Sequence, residues 1–463
     1  MTSQNSDSRS PRSASVIGAG QTGVTAALGL LDAGFDVTLY SDRDQRGLRD
    51  DVPATGTALE FGEAQQAEAA LGLDSFQTRA PRQTGLSVRF AGPGPENPEL
   101  IQFDGNFKGF VGIAVDARLK ADERLTAFKE RGGNFVVQSV TPETLDTIAA
   151  DSDLTLVATG KGGLSDLFAV DESRSPYAEP QRKLLTVTVR GLGYGKDVFA
   201  HRGPAGGRHS LFSIIDDQGE AWWGPYLHKD AGPAWSFIGW ARPGSDWETR
   251  FAAADSAQSA LRIVKDLYRD YLEWDLPEIQ STTNITEDPH SWLKGAVRPV
   301  VRSGVGHTAS GHVVASLGDT SIAFDPVAGQ GAQSGLIQAQ RLAAAAAVHD
   351  GPFDEEWIAA RYAELLAARG DAANKATSVF LRVPALAEIA GVAFTAGAVH
   401  QGVADAVVSL LHFPQALNGV ESLEDLHALI GQITGEDAAD VLARFTPAGK
   451  FERSSYAGPE ATS

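Results

Sequence analysis

The stretch Ser15-Val16-Ile17-Gly18-Ala19-Gly20-Gln21-Thr22-Gly23-Val24-Thr25-Ala26-Ala27-Leu28-Gly29-Leu30-Leu31 decides the fold. A short β-branched strand runs into a G-x-G-x-x-G turn, and an Ala/Leu-rich helix follows at once. A second strand, Asp36-Val37-Thr38-Leu39-Tyr40, comes at crossover distance and ends in Ser41-Asp42-Arg43. In that setting the glycines mark a dinucleotide-binding βαβ unit. Gly18 permits the tight turn, Gly20 lets backbone approach a pyrophosphate, and Gly23 lets helix and strand pack closely, with the anion at the helix N-terminus.

Composition narrows the class. At 463 residues the chain has room for two or three domains and for a large cofactor with its substrate. The 59 acidic and 39 basic side chains leave a net charge of −20, which opposes nucleic-acid phosphates and anionic membranes; no basic patch offsets it. With no Cys, the sequence excludes disulfides, thiolate catalysis, thiol-ligated metal and a cysteinyl flavin. No stretch approaches the ~18 apolar residues of a membrane span, and the polar Ser-rich start has no signal-peptide core. A cytoplasmic protein is expected, without a metal centre, since none of the 10 His residues stands in ligand or nucleophile spacing.

Along the chain, residues 1–13 read as a disordered tail and 446–463 as a polar tail. The nucleotide-binding domain is discontinuous, over 14–80, 110–170 and 290–350. Residues 81–109 and 171–289 form a substrate domain, and 351–445 a helical region. Within these, 84–103 reads as a hairpin broken by Gly92-Pro93-Gly94-Pro95, and Val115 to Arg131 as a helix presenting Leu119, Leu125 and Phe128. Asp153-Leu154-Thr155-Leu156-Val157-Ala158-Thr159-Gly160 reads as a buried parallel strand delivering a glycine to the ligand. Lys183 to about Pro277 reads as β-rich, its Trp clusters mostly core. Val313-Val314-Ala315-Ser316-Leu317-Gly318-Asp319 leads to Asp325-Pro326-Val327-Ala328-Gly329-Gln330-Gly331-Ala332 and a long helix, a second glycine turn offering backbone N–H groups to a ring or phosphate.

These segments resemble the flavoprotein monooxygenases of the para-hydroxybenzoate hydroxylase fold, and within them the two-component styrene and indole monooxygenases. Besides both glycine blocks, the likeness runs through Tyr40-Ser41-Asp42-Arg43, Gly47-Leu48-Arg49, Val115-Asp116-Ala117-Arg118-Leu119, Ala158-Thr159-Gly160-Lys161, Ser175-Pro176-Tyr177, Pro180-Gln181-Arg182 and Gly318-Asp319. It implies an α/β architecture: a Rossmann-like FAD-binding domain, a mixed β-sheet substrate domain and a C-terminal helical region. It also implies that Gly18, Gly20, Gln21, Thr22 and Gly23 cradle the FAD diphosphate. Ser41, Asp42 or Arg43 would lie by the adenosine ribose, Arg118 would touch the flavin chain, and Arg49, Thr159 and Gly160 would complete the cofactor site. Asp319 would accept from the ribitol, and Pro326, Val327, Ala328, Gly329, Gln330, Gly331 and Ala332 would line the isoalloxazine.

The implied activity is an external flavin monooxygenase using reduced FAD and O₂ to epoxidise or sulfoxidise styrene-, indole- or related aryl-alkene-type substrates through a flavin C4a-hydroperoxide. No catalytic side-chain acid or base is expected; backbone amides of Gly329 to Ala332 would stabilise charge on the flavin. Single-component relatives carry an Asp-Gly motif for NAD(P)H after the Thr-Gly strand, where this chain has Lys161-Gly162-Gly163-Leu164-Ser165-Asp166-Leu167-Phe168. A separate NAD(P)H:flavin reductase is therefore the expected partner, alongside a hydrophobic aromatic small-molecule substrate. Styrene monooxygenases place Asn and His, with Val between, where this chain has Val52, Ala54 and Gly56, which implies a roomier, less polar pocket; the stretch also reads as a structural loop. Members of the family are often dimers, and a homodimer stays open. Rival readings are a single-component FAD hydroxylase or reductase of the same fold and a non-catalytic flavin-binding partner. A halogenase would need a Trp-x-Trp-x-Ile-Pro motif that Trp222-Trp223 does not supply.

Overall fold

Parallel strands need both faces covered, and the run Ala14-Ser15-Val16-Ile17 is buried throughout, so the first strand, Ser13–Ile17, sits in the middle of its sheet. A computed structural model describes residues 11–54, 59–93, 100–194, 198–202 and 209–449. Strand order in the first sheet is 305–307, 313–316, 154–157, 13–17, 36–41, 134–137, with all pairs parallel except the antiparallel edge at 305–307. Ser13–Ile17 pairs with Asp36–Ser41 on one side and Leu154–Val157 on the other, and the crevice where the order reverses lies at the strands' carboxyl ends.

Helix Gln21–Asp32 packs between Ala117–Glu130 and Gln330–Ala347 on one face of this sheet. Pro142–Ala150 covers the other with Leu145, Ile148 and Ala149. The helix expected from Val115 runs Ala117–Glu130; Asp116 caps it by accepting from the Arg118 N–H, and Gly132 ends it at φ 91°.

The second sheet is mixed. Gly85–Ala91 and Leu100–Asn106 form the expected antiparallel hairpin, its tip lying outside the described residues. Gly85–Ala91 pairs in parallel with His209–Ile215, followed by antiparallel Gly219–His228, Gly232–Ala241 and Lys183–Arg190. Because side chains alternate across a strand, neighbouring Trp222 and Trp223 enter different cores. Trp222, with Phe212, Tyr226, Ile238 and Trp240, belongs to the same core as Val327 and Ala328 of the second glycine turn, whereas Trp223 packs on the other face with Trp235, Phe237 and Tyr268.

The β-rich expectation for Lys183 to Pro277 fails beyond Ala241. Asp246–Ala252, Ala257–Tyr271 and Leu276–Ser281 are helices laid across the sheet's outer face. Ser245 caps the first by accepting from the Glu248 N–H, and Ser256 with Ser259 forms a capping box on the second. Ala257, Ala260, Leu261, Val264, Leu267 and Tyr268 then make one buried stripe at helical spacing, which outweighs the strand preference of the nearby aromatics. Of the expected tails, residues 1–10 and 450–463 lie outside the described residues. Ser13 already belongs to the first strand, Arg12 donates to the His349 carbonyl at 2.6 Å, and the Ala448 N–H donates to the Leu100 carbonyl.

A closed charge cluster ties Leu59–Glu60 and helix Gly62–Ala70 to helix Ala117–Glu130. The Lys120 ammonium donates to Glu60 and, at 2.8 Å, to Glu68; Arg124 donates to Glu68 and, at 2.7 Å, to the Thr25 hydroxyl. Lys120, Glu60 and Glu68 have no exposed side-chain surface. Burial and the charge of Glu68 push the Glu60 carboxyl up to about 7, against Lys120 and Arg124. Replacing Lys120 by Met would strand the buried Glu60 carboxylate and leave Glu68 to Arg124 alone, and is expected to cost about 3–5 kcal/mol in denaturant unfolding. Adding Glu60→Gln should recover part of that loss; a double variant as unstable as the summed single variants would refute the pairing.

Candidate flavin and substrate site

Backbone crowding at the first glycine turn is severe on one side and absent on the other. Gly18 has φ 110°, and a Cβ there would lie 2.4 Å from the Ala158 carbonyl oxygen; a Cβ on Gly23 would lie 1.9 Å from the Gly18 oxygen. At Gly20 a Cβ would meet nothing within 4 Å. Helix Gln21–Asp32 begins there with no side-chain cap, so its first N–H groups point toward open space. At that opening Gln21 Oε1, at the helix start, and Thr159 Oγ1, next to Ala158, are buried without a hydrogen-bond partner. An uncapped helix start and a Cβ-free approach fit the diphosphate of FAD, and the unpaired Gln21 and Thr159 oxygens fit hydroxyls of the cofactor chain.

Other expected cofactor residues converge on the same strand ends. Thr22 sits between two glycines, its Cγ2 3.1 Å from a Cβ on Gly318 and its Oγ1 2.6 Å from a Cβ on Gly335. Thr320 Oγ1 donates to the Gly160 carbonyl at 3.1 Å. Asp319 pairs with Lys161 at 3.6 Å and lies 3.6 Å from a Cβ on Gly331, beside the start of helix Gln330–Ala347. At the end of Asp36–Ser41, Ser41 is buried and its hydroxyl accepts from the Arg43 N–H at 3.2 Å, while Asp42 and Arg43 are about half exposed and paired at 3.7 Å.

The second glycine turn is braced from beneath. Pro326–Ala328 is a 3-10 turn, Gly329 takes the left-handed conformation (φ 60°, ψ 28°), and helix Gln330–Ala347 again starts uncapped. Gln330 donates to the Ala328 and Leu411 carbonyls and accepts from Arg369 Nη2 at 2.8 Å. Arg369, fully buried in a π-helical turn over Leu366–Gly370, also donates to Glu63. Asp325 accepts from the Val327 N–H at 3.0 Å, while its Oδ2 is buried without a partner. Burial pushes the Asp325 carboxyl up to about 7, so it is largely neutral below that pH.

Two expected residues are occupied by protein. Arg49 Nη2 donates to the Lys229 carbonyl at 3.1 Å and to Asp230 at 2.7 Å, joining the nucleotide domain to the substrate sheet. Arg118 donates through Nε and Nη2 to Asp116, through Nη2 to Asp288 and through Nη1 to the Val52 carbonyl. Val52 and Ala54 thus lie beside the Arg118 cluster, and Gly56 lies outside the described residues. Sequence reasoning missed Asp325, Arg369, His228 and Asp288 as parts of the site. Asp325 alone had a local signal, its place before Pro326; the others act through partners far away in sequence.

The glycine geometry predicts that Gly23→Ala unfolds at markedly lower temperature than the parent, whereas Gly20→Ala keeps its melting temperature but weakens FAD binding at least tenfold by fluorescence titration. Asp325 gives a signed pH effect. Its folded pKa lies above the ordinary 3.8, so the folded state holds the proton more tightly and stability falls as pH rises from about 4 to about 7. The slope contributed by this one group is at most about 1.4 kcal/mol per pH unit. Glu60 acts with the same sign, so urea unfolding of Asp325→Asn against the parent across pH 4–8 isolates Asp325, and parallel curves would refute the assignment.

Residues 160–277 match the family model described as the styrene monooxygenase A putative substrate binding domain. The chain is 28% identical over 325 residues to styrene monooxygenase StyA of Pseudomonas sp, covering 68% of this chain and 73% of that protein. It is 27% identical over the same length to the StyA of Pseudomonas fluorescens. In fold it is similar to a flavoprotein/dehydrogenase from Cytophaga hutchinsonii (TM-score 0.60, 12% identity, 92% of this chain and 99% of that one). It is similar also to the flavin-dependent brominase Bmp2 (TM-score 0.57, 13% identity, 93% and 97%) and to tetrameric 2-methyl-3-hydroxypyridine-5-carboxylic acid oxygenase (TM-score 0.56, 14% identity, 85% and 97%). Among the described residues no helix is long and apolar enough to cross a membrane, and no cluster of His, Asp and Glu is arranged to hold a metal ion. The chain is thus similar in sequence to styrene monooxygenases, over residues 160–277 to their putative substrate binding domain, and it has the para-hydroxybenzoate hydroxylase-like fold.

Proposed function

We propose that this chain is the oxygenase half of a two-component system, taking reduced FAD from a separate NAD(P)H:flavin reductase and inserting oxygen into styrene-, indole- or related aryl-alkene substrates and aryl sulfides. The observation that carries the reading is one continuous apolar core in which Val327 and Ala328 of the second glycine turn join Phe212, Trp222, Tyr226, Ile238 and Trp240 of the substrate sheet. An aromatic wall facing the flavin turn suits a hydrophobic aryl substrate and excludes water from the oxygen chemistry.

Reduced FAD, when bound, supplies two electrons and activates O₂, so that one oxygen atom enters the substrate and the other leaves as water. The chain's own residues bind and orient. The uncapped start of Gln21–Asp32 takes the diphosphate, and Gly20 leaves room for it. The free N–H groups at Gly331 and Ala332 favour negative charge at the flavin edge. Arg369 and Gln330 hold that turn in place from the helical side. Thr159 and Gln21 offer their unpaired oxygens to hydroxyls of the cofactor chain. Asp319, which lies beside Gly331, would accept from the ribitol. Arg118 would reach the flavin chain only through its remaining Nη1 hydrogen.

The test is anaerobic mixing of the purified chain with chemically reduced FAD, then with oxygenated buffer containing styrene, an aryl methyl sulfide or indole. Epoxide or sulfoxide should form with reduced FAD alone, and NADH without a reductase should give no turnover above background. NADH-driven turnover by the chain alone would favour the single-component reading. Hydrogen peroxide as the only product with every substrate would overturn the oxygenase reading in favour of a flavin-binding partner.

A further inference from the structure

Behind the Val52–Ala54 loop lies a buried cluster contributed by three separate parts of the chain. Asp288, 1% exposed, accepts at Oδ2 from Arg118 Nη2 (2.7 Å) and His228 Nε2 (3.0 Å), and at Oδ1 from the His290 N–H (3.0 Å). His228, also 1% exposed, has its tautomer fixed by its neighbours. Its Nδ1 accepts from the Asp230 and Ala231 N–H groups, both at 3.1 Å, so the proton sits on Nε2 and goes to Asp288. The loop is gripped at two points by the groups that Asp288 holds. Arg118 Nη1 donates to the Val52 carbonyl at 3.1 Å, and the Ala54 N–H donates to the His290 carbonyl at 2.9 Å.

Arg118 already has a carboxylate partner in Asp116, so charge balance alone does not require Asp288. What Asp288 adds is a single acceptor group that fixes the guanidinium, the imidazole and the His290 backbone relative to one another. Three donors on one buried carboxylate restrict all three, as in a second shell around a binding site. Burial works to raise the Asp288 pKa, and the His228 and Arg118 hydrogen bonds overcome it, so the acceptor stays ionised well below neutral pH.

We propose that Asp288 and His228 are positioning residues that fix the Val52–Ala54 loop through Arg118 and His290, and thereby set the width of the aryl-substrate pocket. That the loop is a pocket wall rests on the oxygenase reading above; that the cluster fixes the loop does not. In Asp288→Asn the amide can face its oxygen toward Arg118 and His228, but its NH₂ then meets the His290 N–H, and the grip on Ala54 is lost. In His228→Asn the side-chain oxygen replaces Nδ1 as acceptor for the turn, and the link to Asp288 is removed.

The experiment is hydrogen exchange by mass spectrometry on the full chain, reading the peptide that contains Ala54, with global melting measured in parallel. Asp288→Asn should speed exchange there about tenfold or more with a smaller effect elsewhere, and His228→Asn should move it in the same direction. Glu287→Gln, at an exposed neighbouring position paired with Arg190, should leave it unchanged. Unchanged exchange at Ala54 in both cluster variants, or faster exchange spread evenly over the chain, would overturn the proposal. In turnover with reduced FAD and styrene, both variants should raise KM several-fold and alter the epoxide enantiomer ratio, with kcat changed less. If loop exchange responds but the parent oxygenates no aryl substrate, the oxygenase reading fails and the positioning role stands. If the parent is active and the loop responds without a change in KM or enantiomer ratio, the pocket-width part is overturned.

Discussion

Helix Gln21–Asp32 approaches the strand before it so closely that Gly23 has no room for a methyl group against the Gly18 carbonyl, nor Gly18 for one against Ala158. That steric limit sets the geometry of the whole crevice. The Gly18 N–H donates to the Tyr40 carbonyl at 2.8 Å and the Ala158 N–H to the Ile17 carbonyl at 2.8 Å, so three strand ends are held level. Thr22, carried on the same helix, wedges against Gly318 and Gly335 and brings in the last part of the domain. Thr22 and Gly335, more than 300 positions apart, are thus registered by a side chain packed on glycine backbone, and the candidate cofactor residues inherit their positions from these contacts.

Above the crevice, charge does the joining. Arg49 to Asp230 and Arg118 to Asp288 connect the nucleotide domain to the substrate sheet and the loop beyond it. Arg182 and Glu220 tie the sheet to the carbonyl of Leu381 at the end of a C-terminal helix, and Arg202 and Asp275 tie its outer face to the covering helices. The buried pairs among these, Arg118–Asp288, Arg182–Glu220 and Arg202–Asp275, add little net stability, since desolvation offsets attraction, but each tolerates few alternative geometries. They sit at junctions between layers, where an apolar contact could slide and a guanidinium held at two atoms, as Arg182 is by Glu220 and Arg202 by Asp275, cannot.

Elements specified by neighbours in sequence were legible without the structure. The βαβ unit, the Thr-Gly strand, the helix after Asp116 and both glycine turns are each written in a continuous stretch, the longest running from Ser13 to Ser41, in a period or a turn residue. Helices 246–281 were misjudged because their aromatics carry strand preference while the deciding signals, Ser245 and Ser256, are single caps. The clamps were out of reach for a different reason. Arg118 and Asp288 are separated by 170 positions and Arg369 and Gln330 by 39, and no spacing rule connects them. Arg118 shows the difference most plainly: the family resemblance points it at the cofactor, and the structure gives most of its hydrogen-bonding capacity to Asp116, Asp288 and Val52.

The strand order has a consequence for synthesis on the ribosome. The central strand Ser13–Ile17 is made some 300 residues before the strand at 313–316, which pairs with 154–157 and 305–307, and helix Gln330–Ala347 must follow before Gln21–Asp32 is covered. Likewise Gly85–Ala91 waits for His209–Ile215 as its parallel partner. Until then Val24, Ala27, Leu28 and Leu30, all fully buried in the finished protein, belong to an incomplete layer. Long-range closure of this kind slows folding, and this layer is completed only after residues 313–347 have been made.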